Sequence, residues 1–265
     1  MTIQLAATEY GASAPADAPP VAILHGLFGS GRNWATVAQR IGERRRVIAF
    51  DLRNHGTSPW ADSMNYAEMA EDVRIALNTR GHRRYALIGH SMGGKAAMIA
   101  ALRHPDEAEC LIVVDIAPVP YGARHLGLVR AMQTLDLAAI QRRSEADRAL
   151  TNAIPDPAER GFLLQNLVFE DGRSRWRLNL AAIERNMPAL VDFPAIPPGT
   201  IYPGPALFVA GSRSDYVRPE YETAIRRLFP AAEIVRIEGA GHWLHAEKPA
   251  EFLAIVEPFL AAPAI

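Results

Sequence analysis

Residues 85–101 read YALIGHSMGGKAAMIAA. The short apolar run at 85–88 has the length and composition of a buried parallel strand, and the small, helix-favouring residues from Lys95 onward read as the helix that follows it. Between the two lies Gly89-His90-Ser91-Met92-Gly93, a G-x-S-x-G turn. A serine at the apex of so sharp a strand-to-helix turn takes up a strained backbone, and glycine is needed on either side because strand and helix approach too closely to admit side chains. The strain pushes the hydroxyl out at the carboxyl end of the sheet, where open α/β sheets bind ligands. It also turns the N-terminus of the next helix toward any anion forming there. Glycine and serine are common, so the pentapeptide alone is a weak signal, and the alternative is a structural turn with an idle serine. Its setting between strand and helix makes Ser91 a candidate nucleophile.

The rest of the composition is compatible with that reading. A chain of 265 residues is long enough for two ordinary domains or for one large α/β domain with an insertion, and 49% hydrophobic with 22% charged residues is the balance of a soluble globular protein. A formal net charge of -1 supplies no basic field for nucleic acid or an anionic membrane surface. The single cysteine, Cys110, excludes an intramolecular disulfide and a cysteine metal cluster, and it fits a reducing compartment. The opening MTIQLAATEY lacks the basic start and apolar core of a signal peptide, and no stretch approaches 18 uninterrupted apolar residues. These features predict a cytoplasmic enzyme.

Working outward toward the N-terminus, residues 2–8 partly alternate and read as an edge strand, and 11–20 form a Pro/Ala-rich surface loop. The apolar run at 21–24 leads straight into His25-Gly26-Leu27-Phe28-Gly29-Ser30, a glycine-rich turn that leaves backbone N–H groups free to meet a ligand. Acyl transfer needs two such donors, because the tetrahedral intermediate carries a negative oxygen in a dry site. Leu27, with Phe28 beside it, is the candidate in this loop, and Met92, which follows the nucleophile, is the second. Residues 33–41 read as a helix and 46–50 as a buried strand ending at Asp51. In the DLRNHGTSP turn that follows, Arg53, Asn54 and His55 are read as loop braces in preference to substrate contacts. Residues 66–78 form an amphipathic helix.

Toward the C-terminus, the run at 111–114 ends in Asp115-Ile116-Ala117-Pro118. An acid at the carboxyl end of a strand beside the nucleophile's strand is a candidate for the catalytic set, with turn capping as the other reading. From 119 to 197 the pattern changes to helical segments, best at 123–135, 137–150, 158–168 and 178–189, with no clear buried strand. An α-rich block inserted at the cleft end reads as a cap, giving a core of 1–118 and 198–265 and a cap of 119–197. The sheet resumes at 206–210, a helix covers 219–228, a strand 233–237, and a closing helix 250–260. His242 lies in the loop after the last strand. A serine needs a neighbouring base, and histidine titrates in the right range to take its proton and return it. His245 competes for that role, but Gly239 and Gly241 give His242 a tight loop able to reach inward.

Taken together, HGLFGSGRNW, DLRNHGTSP, GHSMGGKAAM, VVDIAPVPY and AGHWLHAEKP resemble the α/β-hydrolase superfamily from residue 21 to the end, and within it the YbfF-type bacterial esterases and their mitochondrial abhydrolase-domain relatives. The resemblance implies a mostly parallel sheet flanked by helices, hydrolysis of esters and thioesters including acyl-CoA, and no cofactor or metal. It implies a triad of Ser91, Asp115 and His242 with an oxyanion hole at Leu27 and Met92. Most of the superfamily places the acid after the penultimate strand in G-x-x-D, where this chain has Ser214, with Asp215 one position late. By resemblance Asp115 is therefore the acid and Ser214 an auxiliary polar residue. The expected partner is a small acyl ester or thioester, with the protein a monomer or homodimer. A carbon–carbon bond hydrolase, a perhydrolase and a ligand-binding pseudo-hydrolase are the alternatives.

Overall fold

A computed structural model describes residues 2–13 and 18–262, so part of the expected 11–20 loop lies outside the described residues. The first half alternates strand and helix: β1 (Ala7–Tyr10), β2 (Val21–Leu24), α1 (Ala35–Gly42), β3 (Val47–Phe50), α2 (Tyr66–Thr79), β4 (Tyr85–His90), α3 (Met92–Arg103) and β5 (Ala108–Val114). A segment follows with α4 (Arg124–Gln133), α5 (Arg143–Leu150), α6 (Pro157–Leu164), β6 (Leu167–Glu170), β7 (Arg173–Trp176) and α7 (Leu180–Val191). The chain closes with β8 (Ala206–Gly211), α8 (Glu222–Leu228), β9 (Ala232–Ile237), α9 (Leu244–Glu247) and α10 (Pro249–Ala261).

Seven strands form one sheet in the order β1-β3-β2-β4-β5-β8-β9, parallel throughout except for the antiparallel edge strand β1. VAIL, VIAF and ALFVAG are buried at every position, as strands covered on both faces must be. Helices α2, α3 and α8 cover one face and α1 and α10 the other, each with its own apolar cluster. Parallel register sets the functional end: Leu24 pairs with Gly89, Gly89 with Val113, and Val114 with Val209. The loops leaving β2, β4, β5 and β8 therefore emerge together at the carboxyl edge, around the central strand β4.

The structure revises several element assignments. The N-terminal strand lies at Ala7–Tyr10 in place of 2–8. The helix expected at 33–41 begins as a 3-10 turn, Gly31–Trp34, before α1. The segment between β5 and β8 is not all helical. Its expected helix at 158–168 stops at Leu164, and β6 and β7 form a hairpin through Asp171 and Gly172, both at positive φ (51° and 71°). An Asp-Gly pair between short strand-forming runs is the usual signature of a two-residue hairpin turn. Helix α5 starts only at Arg143, because the expected 137–150 helix is interrupted by turns.

The loop after β3 is fastened by a buried ion pair. Arg53 is fully buried, and its guanidinium donates to Asp72 at 2.7 and 3.0 Å, to Glu68 at 2.9 Å and to the Ser63 carbonyl at 2.9 Å. Asp72 is equally buried on α2 and also accepts from Ile3 N at 2.9 Å. Removing the cation alone would strand a carboxylate in the core. Arg53→Met is expected to lower unfolding free energy by about 3–5 kcal/mol, measurable by urea denaturation; a loss below about 1 kcal/mol, the range of an exposed pair, would contradict this account.

Candidate active site

Strand β4 delivers Ser91 to the cleft at φ 50° and ψ -117°, a left-handed backbone that costs a non-glycine residue energy and persists only where its surroundings over-determine it. Ser91 N–H donates to the Val114 carbonyl at 3.0 Å, and Ser91 C=O accepts from Lys95 N at 3.1 Å, tying the turn to β5 behind and α3 ahead. The flanking glycines are steric necessities. A Cβ on Gly93 would stand 2.3 Å from the Leu24 carbonyl oxygen, and one on Gly89 would stand 2.3 Å from the Gly93 carbonyl oxygen.

Asp115 leaves β5 at φ 52° and is fully buried. Its backbone N–H donates to Val209 O at 2.8 Å. One carboxylate oxygen accepts from Gly211 N at 3.1 Å; the other accepts from His242 Nδ1 at 2.7 Å and from the Ser214 hydroxyl. Tyr216 lies against the face of the His242 ring, centroids 4.2 Å apart. With Nδ1 committed to Asp115, Nε2 is the nitrogen left for chemistry, and His242 and Ser91 line the same cleft. Asp215 does not join them: its side chain is 90% exposed and lies beside Arg218. The two expected backbone donors also differ from their neighbour. Leu27 and Met92 N–H have no acceptor among the described residues, whereas Phe28 N–H donates to His55 Nε2 at 3.2 Å. Phe28 itself sits at φ 64° and closes a wall of the cleft.

With that geometry in view, residues 19–249 match the family described as alpha/beta hydrolase fold. The chain belongs to the α/β-hydrolase family. Its esterase and lipase branch is indicated by the relatives. The chain is 41% identical over 251 residues to the mouse (Mus musculus) sn-1-specific diacylglycerol lipase ABHD11, covering 92% of this chain and 81% of that protein. It is 36% identical over 242 residues to esterase YbfF of Escherichia coli, covering 91% and 92%. Among solved structures, a marine microorganism esterase superposes with a TM-score of 0.91 at 36% identity, over 97% of this chain and 100% of the other. Among the described residues, no helix is long and apolar enough to cross a membrane.

The site of this hydrolase is set in a shell of neutral histidines that the sequence did not reveal as a group. His25 Nδ1–H donates to Gly26 O at 2.8 Å while Nε2 accepts from Leu52 N at 2.9 Å. His55 repeats the pattern with Arg53 O at 2.9 Å and Phe28 N at 3.2 Å, so both rings brace the loop that carries Leu27. Burial pushes His55 down to about 3 and lowers His25. Asn54, at φ 66°, binds Ala61 N and Asn179, so the DLRNHGTSP turn is a bracing loop throughout. His90, also held neutral by burial, donates from Nε2 to the His242 carbonyl at 2.9 Å. His245 stacks flat on Trp34, centroids 4.0 Å apart, without a carboxylate partner among the described residues.

Three further residues escaped the sequence reading. Asn166, from the hairpin approach, donates to Phe28 O at 2.8 Å, and His125 lines the cleft with burial lowering it to about 4. Lys95, one turn along α3 from Ser91, is buried, with burial pushing its ammonium down to about 7. A lysine in an otherwise small, apolar helix was the available signal for it.

The neutral shell makes the protein acid-sensitive in a defined window. The His245 imidazole protonates near 6.5 when free and only at about 3 when folded, chiefly because of burial. Between those values the unfolded chain holds the extra proton, so stability falls as pH falls. His245→Phe is expected to flatten the slope of unfolding free energy over this window by about 1.4 kcal/mol per pH unit, whatever it does to absolute stability. An unchanged slope in urea titrations would show that His245 does not contribute.

Proposed function

We propose that this hydrolase cleaves carboxylic esters and acyl thioesters through an acyl-enzyme on Ser91. The observation that carries the reading is the buried Asp115 carboxylate, 2.7 Å from His242 Nδ1, at a cleft that also presents Ser91 on a strained turn. His242 Nε2 takes the Ser91 proton as Oγ attacks the acyl carbon, and Asp115 orients the ring and stabilises the imidazolium. The carbonyl oxygen becomes an oxyanion bound by the N–H groups of Leu27 and Met92, the latter at the N-terminus of α3, where the helix dipole favours negative charge. Collapse breaks the bond to the alcohol or thiol, which leaves with the proton from His242. Water then gives its proton to His242, attacks the acyl-enzyme, and releases the acid and free Ser91.

Residues 119–197 act as a cap over this cleft within a core of 1–118 and 198–265, with Asn166 bonding Phe28, a residue of the cleft wall. Such a cap excludes water, which strengthens each interaction with the oxyanion. Ser214 is an auxiliary donor that holds Asp115 aimed at His242. The substrate is a small acyl ester; the names of the mouse and Escherichia coli relatives, a diacylglycerol lipase and an esterase, support ester cleavage.

The reading is tested by p-nitrophenyl butyrate hydrolysis together with labelling by a serine-directed fluorophosphonate. Ser91→Ala is expected to lower kcat by about 10⁴–10⁶ and abolish labelling, and Asp115→Asn to lower kcat by about 10²–10⁴. Asp215→Asn is expected to stay within about twofold of wild type, as exposed surface changes do. Activity and labelling that survive Ser91→Ala would remove the nucleophile; a damaging Asp215→Asn would move the acid.

A further inference from the structure

Two cavities meet at Ser91, with Leu27 and His125 lining both. His242 lines the first. The second is walled by Tyr66, Ile116, Tyr121, Met187 and Leu190, and it contains Lys95. On the reading proposed above, on which this inference rests, the leaving group departs beside the histidine that protonates it. The alcohol or thiol therefore occupies the first cavity and the acyl chain the second.

An apolar acyl pocket has no ordinary use for a lysine. The Lys95 side chain is buried, and Nζ donates to the carbonyls of Val191 at 3.1 Å and Asp192 at 2.7 Å, at the end of α7. It lies over the Tyr121 ring at 4.8 Å and the Tyr66 ring at 5.7 Å. It forms no ion pair among the described residues. The Asp192 carboxylate, which contributes to its field, accepts from Phe193 N at 2.8 Å. An ammonium has three hydrogens, and two are used. A charge taken out of water without a counter-ion is expensive, and a charge-assisted bond made where water is excluded is correspondingly strong. Bracing α7 needs only the carbonyl contacts; it does not account for placing the charge in the wall of a cavity open to the nucleophile.

We infer that the second cavity selects acyl groups ending in a carboxylate, which Lys95 Nζ binds as counter-ion. Lys95 follows Ser91 by one turn of α3, about 6 Å along the helix axis, so the acyl groups concerned are short dicarboxylic half-esters. The walls of Met187, Leu190 and Ile116 would hold the methylenes between the two carboxyl carbons.

The test compares kcat/KM at pH 7, by acid release in a pH-stat, for ethyl hydrogen succinate, glutarate and adipate against ethyl butyrate, valerate and hexanoate. In the wild type, at least one half-ester is expected to exceed its neutral partner of equal chain length by about tenfold or more, the worth of one charged hydrogen bond. In Lys95→Met that ratio should collapse to about one or below. Neutral esters preferred at all three lengths would overturn the inference, and so would a half-ester preference that survives in Lys95→Met. A lysine that only braces α7 would lower both members of each pair by the same factor. Should Lys95→Met not fold, the wild-type ratios decide alone. Cleavage of ethyl butyrate with no half-ester preference removes this inference and leaves the serine-hydrolase reading intact; an enzyme that neither cleaves any ester nor labels at Ser91 takes both down.

Discussion

The close approach of α3 to the sheet is the constraint on which the rest of the structure depends. The helix carries Gly93, Gly94, Ala96, Ala97, Ala100 and Ala101, and its residues from Met92 to Leu102 are all buried. A Cβ on Gly93 would overlap the carbonyls of Leu24 and His25, and one on Gly94 would come within 2.6 Å of the Ile116 side chain. With those atoms absent, the helix N-terminus seats between the ends of β2 and β5, and Ser91 is driven to positive φ. Gly26 is held to the same standard from the opposite side, since its Cβ would stand 2.7 Å from His90 Nδ1. The ends of β2, β4 and β5 and the start of α3 thus converge on one residue, and Gly26, Gly89, Gly93 and Gly94 leave the room for it. The strain at Ser91 is sustained by packing on every side.

Around that point the polar groups are sorted by charge. Asp115, fully buried behind His242, receives donors from Gly211 N, Ser214 and His242. These donors meet both of its oxygens, as burial of a polar group requires. The surrounding histidines are treated in the opposite way: each is buried without an anion in contact among the described residues, and each is neutral and engaged with backbone or a ring. Neutral rings leave the field of Asp115 directed at His242. They also fix the Leu27 loop through His25 and His55, whose ring nitrogens bond Gly26 O, Leu52 N and Phe28 N.

The legible part of this arrangement was local. Short, wholly apolar runs such as VAIL, VIAF and LIVV identify strands covered on both faces, and Gly89, Gly93 and Ser91 identify the turn without reference to the rest of the chain. The choice between Asp115 and Asp215 was not local. It depends on β5 lying beside β8, which brings Gly211 N to the Asp115 carboxylate, and on a turn that sends Asp215 into solvent. The family resemblance pointed to Asp115 where spacing was silent. The histidine shell was out of reach for the same reason: His25, His55, His90 and His245 come from four separate segments of the chain and meet only in the folded protein. The β6–β7 hairpin is a different kind of miss. Asp171-Gly172 was visible, but the helical composition at 158–164 was extended to 168, into the first half of β6, although a turn residue pair outweighs the propensity of its neighbours.

Helix α3 serves two tasks one turn apart, and the same packing serves both. Because its side chains are small, the helix sits deep enough for Met92 N–H to face the cleft and for Lys95 to reach the carbonyls that end α7. Those carbonyls lie at the negative end of a helix, where a cation is favoured, and the Val191 carbonyl also accepts from Tyr121 N at 2.9 Å. The lysine therefore fastens the segment between β5 and β8 to the helix that follows Ser91, through Val191 and Asp192 on one side, while Asn166 fastens it to Phe28 on the other. A ligand anion meeting Lys95 would draw on the same ammonium that holds α7. Occupancy of the acyl cavity and the seating of the segment above it would then be coupled through a single buried charge, and the coupling would work in both directions.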